Sequence, residues 1–230
     1  MTRTAISPRL ATRTFENTGG HSIGATAGAL DGGTPAYNDP AGRGRPEASM
    51  FSSIAAFLRY FDSVNRRAMR DIGALPPKAD GWTPATGDGE NAWSINTLVG
   101  HMAGSRLYFA SAYRGEGWIS PGPPDVSRRD RWLRALEESA AEFRRKLEGT
   151  LDEWLERKVP MIEGNGELSG WRILMMMLEH DIHHRSQIDT YAGLNGWEVP
   201  DIYNRSAETI GGLQAAQRAL HGREGEPQAL

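Results

Sequence analysis

Residues 170–192 read GWRILMMMLEHDIHHRSQIDTYA, a proline-free run that begins behind Ser169 and is stopped by Gly193 and Gly196. Ser169 in the N-cap position and the glycines after Ala192 mark the two ends of a helix. On that helix Ile173, Met177, His180, His184 and Tyr191 share one stripe. Three of the six histidines of the chain fall within His180–His184. His180 and His184 lie one turn apart, with Cβ atoms roughly 6 Å from each other, so two imidazoles can converge on one ion. His183 is a residue step off that direction.

The rest of the chain is read outward from this helix. From Met50 to Ile72 the positions Phe51, Ile54, Phe57, Leu58, Phe61, Val64 and Ala68 recur at helical spacing, and Gly73 and Pro76-Pro77 end the pattern. Ser94 is the expected N-cap of a second helix over Ile95–Tyr113, ended by Gly115, Gly117 and Pro121 to Pro124. A third is expected from an N-cap at Ser127 to Glu148, with Leu133, Leu136, Ala140, Phe143 and Leu147 inward, followed by a short helical piece over Leu151–Arg157. The fourth is the histidine helix. An extra C-terminal helix over Tyr203–Leu220, striped by Tyr203, Ala207, Ile210, Leu213 and Leu220, is weakened by Gly211-Gly212. No segment reads as a strand.

Four long amphipathic helices around one core define an all-α, four-helix bundle. The stretch from Tyr113 to Ser127 is long enough to travel the length of such a bundle at ~3.3 Å per residue. Helices two and three can therefore run parallel, joined by a long crossover. Residues 1–48 are rich in Gly, Thr, Ala and Pro and lack apolar periodicity, which predicts a disordered tail, or else translation that begins at Met50. The bundle domain is expected over 49–222, with a flexible C-terminus over 223–230.

Composition excludes several functions. A net charge of -3 gives no basic footprint for nucleic acid. The longest apolar run, Ile173 to Leu178, is too short to span a bilayer, and the N-terminus lacks a secretory apolar core, so a cytoplasmic protein is expected. With no cysteine there is no disulfide, thiolate ligand or cysteine nucleophile, and sulfur chemistry would need an external thiol.

A lone histidine on an apolar face is most simply a hydrogen-bonded core residue. Two buried imidazoles side by side need donors for their acceptor nitrogens, and His101 sits on the inward face of the second helix with Leu98, Met102, Ser105, Tyr108 and Ala112. His101, His180 and His184 are thus the candidate metal ligands. Three imidazoles leave an open position and suit zinc, nickel or iron. Asp181 places an acid inside His180-Asp181-Ile182-His183-His184, an HExxH-like spacing. A protease reading, however, finds Thr190 where a third histidine would stand and no persuasive context for Glu208. Gln187 lies close to the His180 direction and can bond a ligand or substrate. Tyr108, two turns from His101, can offer a proton or orient substrate, or simply pack. Arg185 points off the face toward an interhelix salt bridge, and Met175-Met176-Met177 reads as adaptable packing.

Trp93-Ser94 leading to Leu98 and His101, with His180-Asp181-Ile182-His183-His184-Arg185-Ser186-Gln187-Ile188 downstream, resembles the DinB-like family of metal-dependent four-helix bundles. That family's signatures are a tryptophan-serine entry to its first histidine and an HxxxHHRGQ-like run. It includes thiol-dependent S-transferases and is related to the mycothiol-dependent maleylpyruvate isomerase. The resemblance covers roughly Met50 to Gly193. It implies His101, His180 and His184 as the ligand triad, His183 as the non-binding neighbour, a divalent ion, a low-molecular-weight thiol as cosubstrate and a homodimer. Ser186 departs from the family's usual glycine. The implied function is activation of a thiol, or of water, for transfer to or isomerisation of a small electrophile, with Asp181, Gln187 and Tyr108 as candidate assisting groups. The alternatives are a metal-dependent hydrolase of small molecules and a non-enzymatic metal-binding or structural bundle.

Overall fold

The computed structural model describes residues 50–224, with side chains as far as 221. The expected tail over 1–48 and the last residues of the C-terminus lie outside the described residues. Five helices are present among them: α1 Ile54–Ala74, α2 Ile95–Arg114, α3 Trp132–Glu148, α4 Gly170–Leu194 and α5 Ala207–Glu224. Ser53 accepts a hydrogen bond from Ala56 N and Ser94 from Thr97 N, each satisfying an amide that a helix start leaves unpaired. Gly115, at φ 75, closes α2 in the left-handed conformation that a side chain resists.

Pairwise contacts fix the directions. Phe57 and Phe61 of α1 meet Phe143 of α3, whereas Gly73 at the other end of α1 faces Leu133, so these helices are antiparallel. Arg106 of α2 reaches Leu136 O and Ser139 of α3, and Arg114, two turns on, reaches Lys146 O. Helices α2 and α3 therefore run parallel. The connection between them returns along α2: Gly122 and Pro123 pass Gly104, Val126 passes Gly100, and Asn96 donates to Val126 O. A Cβ at Gly100 would stand 2.8 Å from Val126 Cγ2, so glycine is what lets this return segment lie so close. α4 runs against α2, with Gly170 under Tyr113 and His180 and His184 at His101. The result is an all-α four-helix bundle with a long crossover between the second and third helices.

The core has an aromatic half around Phe57, Phe61, Tyr113, Phe143 and Trp171, and a second half around Leu98, Met102, Trp132, Leu136 and Ile188. Removing a fully buried ring such as Phe143 is expected to cost about 3–5 kcal/mol.

Some expectations are corrected. A two-stranded antiparallel sheet is present, β1 Lys158–Pro160 on β2 Glu167–Ser169, with Val159 opposite Leu168. Three residues per strand are too few to show alternation, and Gly164 and Gly166, both at positive φ, make the turn. α3 starts at Trp132 and not after Ser127, because the amide and hydroxyl of Ser127 both donate to Asp125 and cap nothing. The buried Trp132 takes the inward position and leaves Leu133 39% exposed. The piece expected over Leu151–Arg157 is a single 3₁₀ turn, Asp152–Leu155. Ser169 makes no side-chain cap bond. Every described side chain of α5 is exposed, so the stripe through Ile210, Leu213 and Leu220 covers nothing among the described residues. No described helix is long and apolar enough to cross a membrane.

Candidate metal centre

α2 contributes His101 and α4 contributes His180 and His184, and the three Nε2 atoms point at one another. His180 Nε2 lies 2.8 Å from His101 Nε2 and 3.2 Å from His184 Nε2. His184 is buried; the other two are half-buried. Burial, reinforced by the neighbouring imidazoles, pushes the His180 pKa down to about 2 and that of His101 to about 4, and burial also lowers that of His184. At neutral pH all three are therefore uncharged, the state in which imidazole binds a metal.

The tautomer of His184 follows from its surroundings. Gln187 Nε2 donates to the carbonyl of Glu90 and to Tyr191 Oη, which leaves Oε1 as the atom 3.1 Å from His184 Nδ1. An amide oxygen only accepts, so Nδ1 carries the proton and Nε2 presents a lone pair to its neighbours. That lone pair is met either by an Nε2–H donated from the neighbouring neutral imidazole of His180, 3.2 Å away, or by a cation among the three nitrogens. Donors bound tetrahedrally at 2.0–2.1 Å are ~3.3 Å apart, close to the spacing seen. The residues fit a divalent ion held by three histidines.

The site has walls. Trp93 meets His101 edge-on at 4.9 Å and stacks over His184 at 6.3 Å. Phe109 meets His180 at 5.8 Å and continues into Trp118 and Tyr108. A strap, the 3₁₀ turn Gly89–Ala92, is tied to α4 by Gln187 at Glu90 O and by Tyr191 Oη, which donates to Asn91 O.

Of the residues singled out in the sequence, Gln187 bonds His184 directly. Asp181 lies at 1% exposure with Oδ2 2.9 Å from Arg106 Nε and 2.8 Å from Nη2, so its carboxylate is engaged with α2. Burial raises the Asp181 pKa, and Arg106 opposes that shift. Tyr108 packs on Trp118 at 5.2 Å, two turns and roughly 10 Å along α2 from His101. Burial raises the pKa of its hydroxyl. His183 is exposed, with Nε2 3.4 Å from Glu90 Oε1. Arg185 reaches Asp71 of α1 at 3.7 Å, the interhelix pairing expected. Ser186 is exposed, so its extra bulk disturbs no packing.

Two residues escaped the sequence reading. Glu90 sits in a turn with no periodicity to reveal it. Arg106, a fully buried cation on α2, did leave a signal: an arginine between Met102 and Phe109 in a helix with little polar surface.

Residues 50–217 match the model of the DinB family, and the chain belongs to that family. A comparison with curated proteins finds no match. Among solved structures, a DinB-like protein from Bacillus cereus ATCC 10987 superposes with a TM-score of 0.54 at 15% identity, over 66% of this chain and 99% of that one. YfiT from Bacillus subtilis is described as a probable metal-dependent hydrolase with an unusual four-helix bundle topology. It gives a TM-score of 0.49 at 15% identity, over 69% of this chain and 97% of its own.

Proposed function

We propose that this protein is a divalent-metal-dependent enzyme that joins a small-molecule thiol to an electrophilic substrate, or uses the thiol to isomerise it. The observation that carries the reading is the convergence of three neutral imidazoles on one point, with the His184 tautomer fixed by Gln187. A divalent ion held there supplies the positive charge that keeps a thiol as thiolate at neutral pH. Zinc, nickel and iron all suit an imidazole donor set.

The chain's own residues do the rest. Gln187 fixes the ring of His184 and the strap together. Trp93 and Phe109 keep water from the imidazoles on two sides, and Tyr108 and Trp118 extend an apolar wall against which an electrophile can lie. Asp181, paired with Arg106, is a positioning residue that sets the level of α4 against α2. The absence of cysteine means that the transferred sulfur comes from the cosubstrate.

Metal content measured on purified protein beside His180→Ala tests the centre: about one ion per chain is expected in the parent and none in the variant. Incubating the loaded protein with bacillithiol, mycothiol or glutathione and an electrophile tests the reaction. Turnover that requires the thiol supports the proposal. Hydrolysis without thiol would replace it with a small-molecule hydrolase, and stoichiometric metal without turnover with a binding protein.

A further inference from the structure

Glu90 is not one of the three histidine ligands, yet the fold spends two side chains of α4 on placing it. Gln187 Nε2 donates to its carbonyl at 3.0 Å, and Tyr191 Oη donates to the next carbonyl, Asn91 O, at 3.1 Å. The same Gln187 holds His184 Nδ1, so the turn that carries Glu90 and the ring of His184 are positioned by one amide. The Glu90 carboxylate then faces the histidines: Oε1 is 3.7 Å from His184 Nε2 and 3.4 Å from His183 Nε2. An ordinary surface ion pair with His183 would need no such anchoring of the backbone.

We propose that Glu90 is a fourth, carboxylate donor to the ion, delivered by the strap to the open side of the three-histidine site. This rests on the three-histidine reading. Two donors on one ion can stand up to ~4.2 Å apart when each bond is near 2.1 Å, and the 3.7 Å between Oε1 and His184 Nε2 falls within that span. Glu90 Oε1 forms a compact donor set with His183 and His184 that does not include His101 or His180, so a turn of the side chain is needed to complete the coordination. At 47% side-chain exposure it has the freedom to make that turn. A half-exposed carboxylate on a turn is also a donor that an incoming thiolate can displace, whereas the three histidines are fixed on helices. Glu90 thus converts a neutral donor set into one of charge -1, which strengthens the hold on a divalent cation until substrate arrives.

The test compares the full chain with Glu90→Gln, Glu90→Asp, His183→Ala and His180→Ala. Zn2+ affinity is read by competition with a chromophoric chelator, and the visible spectrum of each Co2+-loaded form is recorded. Glu90→Gln keeps the backbone carbonyl that Gln187 grips, so the strap stays in place. Its Zn2+ affinity is expected to fall 10–100-fold and its cobalt spectrum to change, with partial recovery in Glu90→Asp and no change in His183→Ala. Affinity within twofold of the parent and an unaltered spectrum in Glu90→Gln would overturn the proposal while leaving the histidine centre standing. A parent that binds no stoichiometric metal would remove both, and the parent and His180→Ala arms show that outcome separately.

Discussion

α4 carries polar groups on two neighbouring faces that are treated in opposite ways. On one, His180 and His184 are neutral and gather around a point open to a half-exposed carboxylate. One residue on, Asp181 and Arg106 form an ion pair with both side chains at 0% exposure, and Arg106 Nη1 donates to Leu136 O and Ser139. The first arrangement keeps three ring nitrogens turned toward a common point, as the proposed ligand site requires. The second is closed to solvent and joins α2 to α4. Arg106 stands five positions after His101 and Asp181 one after His180, so under the proposed positioning role the pair would set the level at which His101 meets His180. Binding capacity and alignment are thus divided between adjacent residues of one helix.

That division is broken most forcefully at the sealed pair. Asp181→Ala leaves a buried guanidinium without its counter-charge and is expected to destabilise the metal-free fold by about 3–5 kcal/mol in urea denaturation. Replacing both members with Met and Leu of similar volume should restore most of that loss. If it does not, the pair contributes more than charge compensation.

On the open side, Gln187→Leu removes the acceptor that fixes His184 together with the bonds to Glu90 O and Tyr191 Oη, and is expected to weaken Zn2+ binding 10–100-fold, or about 1.4–2.7 kcal/mol, with a smaller loss of metal-free stability than Asp181→Ala. A large loss of metal-free stability without a change in affinity would reverse the roles assigned to the two faces.

Acid should distinguish the two faces as well. His101 and His180 are pressed from 6.5 to about 4 and about 2, mainly by burial. Between pH 6.5 and 4, then, the unfolded chain takes up protons that the folded chain refuses. The stability these histidines contribute is complete above pH 6.5 and declines as the pH falls through that window. Asp189 acts in the other direction. Burial and Asp71 raise its value from 3.8 to about 6, so the folded chain binds this proton first, and part of the decline is cancelled between pH 6 and 3.8. Denaturation midpoints of the chelated protein at pH 7.5, 6 and 4.5 should fall steadily, and more steeply in Asp189→Asn; a flat profile would contradict the neutral-imidazole assignment. The smallest effect is expected outside the core, where Glu142→Gln removes the solvent-screened pair with Arg145 and should leave the denaturation midpoint where it is in the parent.

The four core helices and the histidine cluster were legible because each is a repeating or paired signal. Apolar stripes marked α1 to α4, Ser94 and Gly115 marked the ends of α2, and His180 and His184 stood one turn apart. What escaped is held by single contacts between distant residues. Glu90 is brought to the histidines by Gln187, 97 positions away, and Arg106 finds Asp181 at a separation of 75. Neither pairing has a local periodicity. The β-hairpin was too short to alternate, and the α5 stripe shows the converse, since periodicity reports that a face exists and not that anything covers it.

The crossover that makes α2 and α3 parallel also governs when the centre can exist. His101 emerges with the second helix, but its partners lie 79 residues and more downstream, beyond the return segment, α3 and the hairpin. A chain still being synthesised therefore holds one of the three clustered imidazoles and cannot assemble the cluster. Ion capture at the proposed centre would wait for the last bundle helix to dock, and a bound cation would certify that the polypeptide was made through to its fourth helix.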